Sequence, residues 1–194
     1  MTDQGDALGL ASRLAGGSAE GELLDRAARG HPEAFDAVIR PRLDRLFRMA
    51  LSITRSEADA RDAVQEACVL AWRELPRLRD RGRFDAWLSQ ILVNACRGQL
   101  RRRRRVRVRE VDVDVLDSAY GTGRGADEIA ETDLIRRAFD RLDGTTRSLL
   151  TLHYVEERPL AEIGRILGAP VGTIKWRLSN ARRALDRALE VERR

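Results

Sequence analysis

The chain has 194 residues, enough for one or two small domains, and its 43% apolar content suits a chain that can bury a core. Charged residues reach 35%, yet the formal net charge is only +5, so the bias lies in where the charges sit. No run approaches the roughly 18 apolar residues of a membrane span. The N-terminus lacks the basic start and apolar stretch of a signal peptide, which points to a cytoplasmic protein. Cys68 and Cys96 fall on apolar faces of predicted helices, so the expectation is buried thiols in a reducing compartment rather than a disulfide framework. Of the 36 basic residues only Lys175 is a lysine. Arginine suits bidentate contact with phosphate and guanine. A GC-rich coding sequence, which favours Arg, Ala and Gly, is the simpler cause of the missing lysines.

Residues 1–21, rich in Gly, Ala and Ser, read as a disordered N-terminus. Helical periodicity runs from Glu22 to the arginines near 104–105 and defines a first module, 22–105. A second break, "DVDVLDSAYGTGRGADE", has glycines at 121, 123 and 125 and no helical stripe. It places a linker over 106–127. Periodicity then returns and defines a second module, 128–194. Nothing supports a sheet of any size: "VRVREVDVDV" alternates like a strand but is isolated, and one strand cannot stand alone. The expected fold class is all-α, with two small helical domains joined by a flexible linker.

In the first module, "EADARDAVQEACVLAWREL" carries Ala60, Ala63, Val64, Ala67, Cys68, Ala71, Trp72 and Leu75 at spacings of three and four, the stripe of an amphipathic helix. Ser56 precedes it as the expected N-cap. Asp59, Asp62 and Glu66 share another face, with Gln65 beside them. Acidic faces are usually simply solvated, but one of this kind also suits docking to a basic partner.

The loop "PRLRDRGRF" follows, with Arg79, Arg81 and Arg83 around Gly82. Basic loops beside aromatics and amides hold single strands by neutralising the backbone and stacking on bases. In "FDAWLSQILVNACRGQLRRRRR", Phe84, Trp87, Leu88, Ile91, Leu92, Ala95 and Cys96 form the stripe to be buried. Asn94, Arg97 and Arg101 line a different face, with Gln90, and offer amide and guanidinium groups to base edges and phosphates. Arginines also suit a helix C-terminus. Seven of the nine residues from Arg101 to Arg109 are arginine, however, and such a run repels itself unless a polyanion lies near.

The second module holds the most specific stretch, "RPLAEIGRILGAPVGTIKWRLSNARRALDRAL". A short helix, Leu160 to Leu167, turns Ile163, Ile166 and Leu167 inward. Gly164 admits a close neighbour, and Gly168 ends the helix in a left-handed cap. After "APVGT" a second helix starts near Val171 or Thr173, with Ile174, Leu178, Ala181 and Leu185 inward. Helix, glycine turn and helix at this spacing make a helix-turn-helix, whose second helix enters the major groove by its N-terminal part. Lys175, Trp176, Ser179 and Asn180 then face base edges, and Arg177, Arg182 and Arg183 face phosphates.

These three motifs, in this order, resemble those of the extracytoplasmic-function (ECF) sigma factors of bacterial RNA polymerase, over roughly residues 25–105 and 128–190. "DARDAVQEACVLAWREL" is similar to their polymerase-docking helix, "FDAWLSQILVNACRGQLRRRRR" to the helix that recognises and melts the −10 element, and "HYVEERPLAEIGRILGAPVGTIKWRLSNARRAL" to the domain that reads the −35 element. The resemblance implies docking of Asp59, Asp62, Gln65 and Glu66 on the clamp helices of core RNA polymerase. It implies capture of the non-template strand by Arg79, Arg81, Arg83, Asn94, Arg97, Arg101 and Arg102. For the −35 duplex it implies Thr173, Lys175, Trp176, Arg177, Ser179, Asn180, Arg182 and Arg183. A linker threading the polymerase's RNA channel, with Asp112, Asp114 and Asp117 mimicking nucleic-acid charge, belongs to the same implication, as does an anti-sigma factor, which many members have. The chain departs from the family at Gly98, commonly Asp, and at Trp176 and Asn180, commonly Ser and a basic residue, so the promoter sequence does not carry over.

An enzyme is the first rival. His31 and His153 are the only histidines and neither has metal-ligand spacing to a cysteine, while "GTGRG" lacks the strand a phosphate loop follows. No catalytic residue, metal or cofactor is therefore expected. A stand-alone helix-turn-helix regulator explains the second module but leaves the first idle. An RNA-binding protein would use the arginine run alone.

Overall fold

The computed structural model describes residues 19–109 and 126–193. The first helix, α1 (19–28), already includes the last residues of the segment expected to be disordered. Then come α2 (Pro32–Ile39), a 3-10 turn, α3 (Leu43–Thr54), α4 (Glu57–Glu74) and α5 (Phe84–Arg109). The second module contains α6 (Ala126–Asp140), α7 (Gly144–Leu150), a π-helical turn (Thr151–Val155), α8 (Leu160–Leu167) and α9 (Val171–Glu192). The described residues hold no strand, and the all-α expectation holds. Asp112, Asp114 and Asp117 and most of the expected linker lie outside the described residues.

One helix end differs from the sequence reading. The arginine-rich helix continues through Arg109, past the expected end at 105. Arginine is a good helix former, and a helix already anchored by its apolar half extends at little cost. α6 starts at Ala126, where helical periodicity returns in the sequence.

α4 shows how sequence sets packing. Ala60, Ala63, Ala67 and Ala71 are all fully buried. Small side chains let α3 and α5 approach α4 from two sides, and the larger Ile53, Leu88 and Leu92, also fully buried, fill the space between. Ser56 caps α4 as expected, its hydroxyl accepting from the Asp59 amide at 3.3 Å. At the other end of α3, Arg55 takes the left-handed conformation that closes the helix (φ 60).

In the second module Asp143 caps α7, accepting from the amides of Thr145 (2.9 Å) and Thr146 (3.1 Å). Gly168 ends α8 at φ 65, as read from the sequence. Gly164 is where backbone meets backbone: a Cβ there would lie 2.7 Å from the carbonyl oxygen of Ala169. Ile163, Ile166, Leu167, Ile174, Leu178 and Ala181 are buried around this elbow, whereas Leu185, expected inward, is only half-buried.

The two modules do not stand apart. α7 lies on α3, and α8 and α7 lie on α5. The Leu100 side chain occupies the space a side chain at Gly144 would need. Arg45 of α3 pairs with Glu156 at 3.0 Å, and Arg55 forks onto Asp140. Glu156 is nearly sealed at this seam, with 6% of its side chain exposed. None of these contacts was anticipated, because periodicity reports which face of a helix is apolar and says nothing about which module covers it.

Candidate nucleic-acid interface

Three surfaces carry the expected site residues. On α4 the acidic face divides. Asp62 and Gln65 are exposed, with Val69 at 53% exposure one turn further along the same face. Asp59 and Glu66 turn toward α5 instead. Arg103 stands 3.5 Å from the Asp59 carboxylate, and Arg102 stands 3.8 Å from that of Glu66, which also accepts a long hydrogen bond from Gln99 (3.4 Å). The expected quartet is thus two residues open to a partner and two committed to the arginine run. Val69 was missed because an apolar residue beside a predicted core stripe reads as part of it.

The basic loop divides as well. Arg79 is exposed, and Arg83 is exposed but paired with Asp80 at 3.0 Å. Arg81 is engaged within the protein. Its guanidinium donates to the carbonyls of Leu75 (3.0 Å) and Leu78 and bonds Asp25 (3.0 Å). The Leu75 carbonyl also accepts the Leu78 amide at 3.0 Å, so Arg81 adds a second donor there and ties the loop after α4 to Asp25 of α1.

On α5, Asn94, Arg101 and Arg102 are exposed. With Glu66, Gly98 and Arg105 they line an open cavity of about 390 Å³ floored by Leu70 and Ala95. Gly98 contributes by absence, since nothing lies within 4 Å of the place its Cβ would occupy. Arg97 is only half-exposed. Its Nε is buried with no hydrogen-bond partner. Burial pushes its pKa down, and so do the charges of Arg177 and Arg101. Arg177 belongs to α9, so the Arg97 face of α5 and the second helix of the helix-turn-helix lie within reach of each other's charge. Phe84 is buried and Trp87 half-buried, their rings 5.8 Å apart, in keeping with the expected core stripe. Cys96 is buried, with its thiol pushed up to about 12 by burial, while Cys68 is only partly covered.

On α9, Lys175, Trp176, Ser179, Arg182 and Arg183 are exposed, and Thr173, Arg177 and Asn180 partly so. Two of the arginines are already engaged. Arg182 bonds the Tyr154 hydroxyl and lies 5.5 Å over its ring; Arg183 bonds the Asn180 carboxamide oxygen. That bond takes the Asn180 oxygen and leaves its NH₂ as the group free to donate. Tyr154 was not foreseen, because it lies in the π-helical turn before the helix-turn-helix motif. Among the described residues no three His, Cys, Asp or Glu side chains gather to hold a metal ion, and no helix is long and apolar enough to cross a membrane.

The class defined here is a two-module, all-helical protein with cationic helix faces in both modules and a helix-turn-helix in the second. Comparison with known proteins makes it specific. Residues 38–106 match the family model for sigma-70 region 2 and residues 132–185 that for sigma-70 region 4. The ECF RNA polymerase sigma factor SigM of Mycobacterium tuberculosis is 32% identical over 88% of this chain and 84% of its own. The RNA polymerase sigma-H factor of Pseudomonas aeruginosa is 29% identical over 87% and 93%. Among solved structures, the sigma factor RpoE of Bartonella quintana, in complex with the anti-sigma factor NepR, is similar at a TM-score of 0.68 and 26% identity, covering 81% of this chain and 97% of that one. CnrH, in complex with the cytosolic domain of CnrY, is similar at 0.63 and 27%, covering 89% and 98%. The chain belongs to the ECF group of the sigma-70 family and is a sigma factor for transcription initiation.

Proposed function

We propose that this sigma factor docks on core RNA polymerase through the exposed part of the α4 acidic face, captures the −10 non-template strand on α5, and reads the −35 duplex with α9. The observation that carries this is the pairing on one chain of two cationic helices of different character. α5 sets Asn94, Arg101 and Arg102 around a cavity, which suits unstacked bases. α9 projects Lys175, Trp176 and Ser179 from the end of a helix-turn-helix, which suits a closed major groove. Melting on this reading is driven by capture: unstacking a base costs a few kcal/mol, recovered when the flipped base is bound.

Asp62 and Gln65, with Val69 as apolar anchor, make the docking contact. Asp59 and Glu66 hold the start of the arginine run against α4. An anti-sigma partner is part of the reading, supported by the RpoE likeness, as is action in the cytoplasm, where polymerase and chromosome meet. The test is transcription in vitro with purified core polymerase. Asp62→Arg abolishes promoter-directed initiation and weakens core binding while the fold, read by far-UV circular dichroism, stays intact. Normal initiation by that variant refutes the docking role, and sequence-specific duplex binding by the protein without polymerase favours a stand-alone regulator.

A further inference from the structure

Trp176 stands apart from the other tryptophans. Trp72 packs on Phe35 at 5.2 Å and Trp87 on Phe84 at 5.8 Å, both against the core. Trp176 is 65% exposed, the most exposed large apolar side chain among the described residues. A lone exposed aromatic is ordinary on a protein surface; its setting gives this one meaning. It sits in the second turn of α9, the helix whose N-terminal end enters the groove. Helical side chains lean toward the helix N-terminus, so the indole leans over position 172. Position 172 is a glycine with nothing within 4 Å of its missing Cβ, so no side chain screens the ring there. The rim is cationic: from Val171 to Leu185 the helix carries Lys175, Arg177, Arg182 and Arg183, and its first carboxylate is Asp186. An apolar plate in a positive rim fits one occupant well, a polyanion with apolar spots on its surface. The major groove supplies that chemistry at one base only, through the 5-methyl group of thymine.

Resting on the −35 reading above, we propose that Trp176 is a specificity-determining residue that selects thymine in the upstream duplex by covering its methyl group. Lys175 and the Asn180 NH₂ flank the ring and take the neighbouring acceptors, which leaves the indole the part of the site that senses the methyl.

The experiment uses the full chain with core polymerase on linear templates whose upstream segment is randomised. The wild-type holoenzyme enriches thymine at one or more upstream positions. Uracil is then placed at those positions in the duplex alone, which removes the methyl and keeps the pairing. Open-complex formation by wild type falls about fourfold, the effect of uncovering one methyl-sized group. Trp176→Ala binds the thymine template as weakly as wild type binds the uracil one and does not distinguish the two; Trp176→Phe keeps part of the discrimination. Equal occupancy of thymine and uracil templates by wild type overturns the proposal, as does discrimination that persists in Trp176→Ala. Loss of core-polymerase binding by Trp176→Ala in the absence of DNA also overturns it, because the ring then contacts protein. An upstream preference without thymine removes this proposal alone, whereas no upstream preference at all removes the −35 reading as well.

Discussion

The Arg147 guanidinium donates from Nε to the main-chain carbonyl of Ile53 at 2.8 Å, joining residues 94 positions apart in the chain and in different modules. The same side chain donates to the carbonyls of Leu142 (2.5 Å) and Asp140 (3.5 Å). One buried arginine thus serves the unsatisfied carbonyls at the ends of both α3 and α6. Arg147→Ala leaves those acceptors without a donor. A hydrogen bond to a charged group contributes about 1.5–3 kcal/mol, so a loss of roughly 2–4 kcal/mol is expected on urea unfolding. Arg147→Lys recovers only part of it, because a lysine lacks the planar fork.

Two glycines separate backbone demand from open space. Gly164→Ala pushes a methyl against the Ala169 carbonyl oxygen at 2.7 Å. Overpacking costs about 1–3 kcal/mol, which outweighs the gain in helix propensity, so thermal unfolding moves down. Gly98→Ala adds a methyl where nothing lies within 4 Å and stabilises α5 by about 0.5–1 kcal/mol. Opposite shifts in the two melting temperatures are the expected outcome.

Asp85 couples stability to acid. Burial opposes its ionisation, but the hydrogen bond from Arg42 and the charges of Arg42, Arg45 and Arg158 outweigh that and hold its carboxyl below the ordinary 3.8. Arg42 Nε reaches it at 2.7 Å. A group depressed on folding adds stability that is complete above its unfolded value and lost as pH falls through the folded one. Urea midpoints should hold down to about pH 4 and drop below it. Asp85→Asn lowers the plateau and makes the acid limb shallower; an unchanged limb assigns the drop to other carboxylates, Asp143 foremost, whose pKa is also lowered.

The arginine run makes a prediction about salt. Replacing Arg101–Arg105 with alanine weakens promoter complexes across sequences and flattens the dependence of log K on log salt, by about one slope unit per lost phosphate contact. Arg102 and Arg103 already face Glu66 and Asp59, so the slope should change by fewer units than the number of arginines removed. A full five-unit change would mean that these internal pairs dissolve in the complex.

Much of this molecule was legible from spacing. The alanine stripe of α4, the Ser56 cap and the Gly164–Gly168 elbow follow from local rules, and each was in place. Four residues sharing a helix face look equivalent in sequence, so the acidic quartet reads there as one surface. Their division into exposed Asp62 and Gln65 and paired Asp59 and Glu66 depends on where α5 crosses, a tertiary fact. Arg81 shows the same limit: loop arginines look alike until the backbone shows which carbonyls need a donor. Arg147 was invisible for the converse reason, since a charged residue on an apolar helix carries no local sign that its partner lies in another module.

The α3–α7 seam has a consequence for how the protein comes undone. Bodies joined only by a tether melt independently, each at its own temperature. Here Arg147 and the Arg55–Asp140 fork tie the end of α3, and Glu156 ties its first turn through Arg45, to the second module. Heating should therefore give a single calorimetric peak, and a variant with the seam cut should give two.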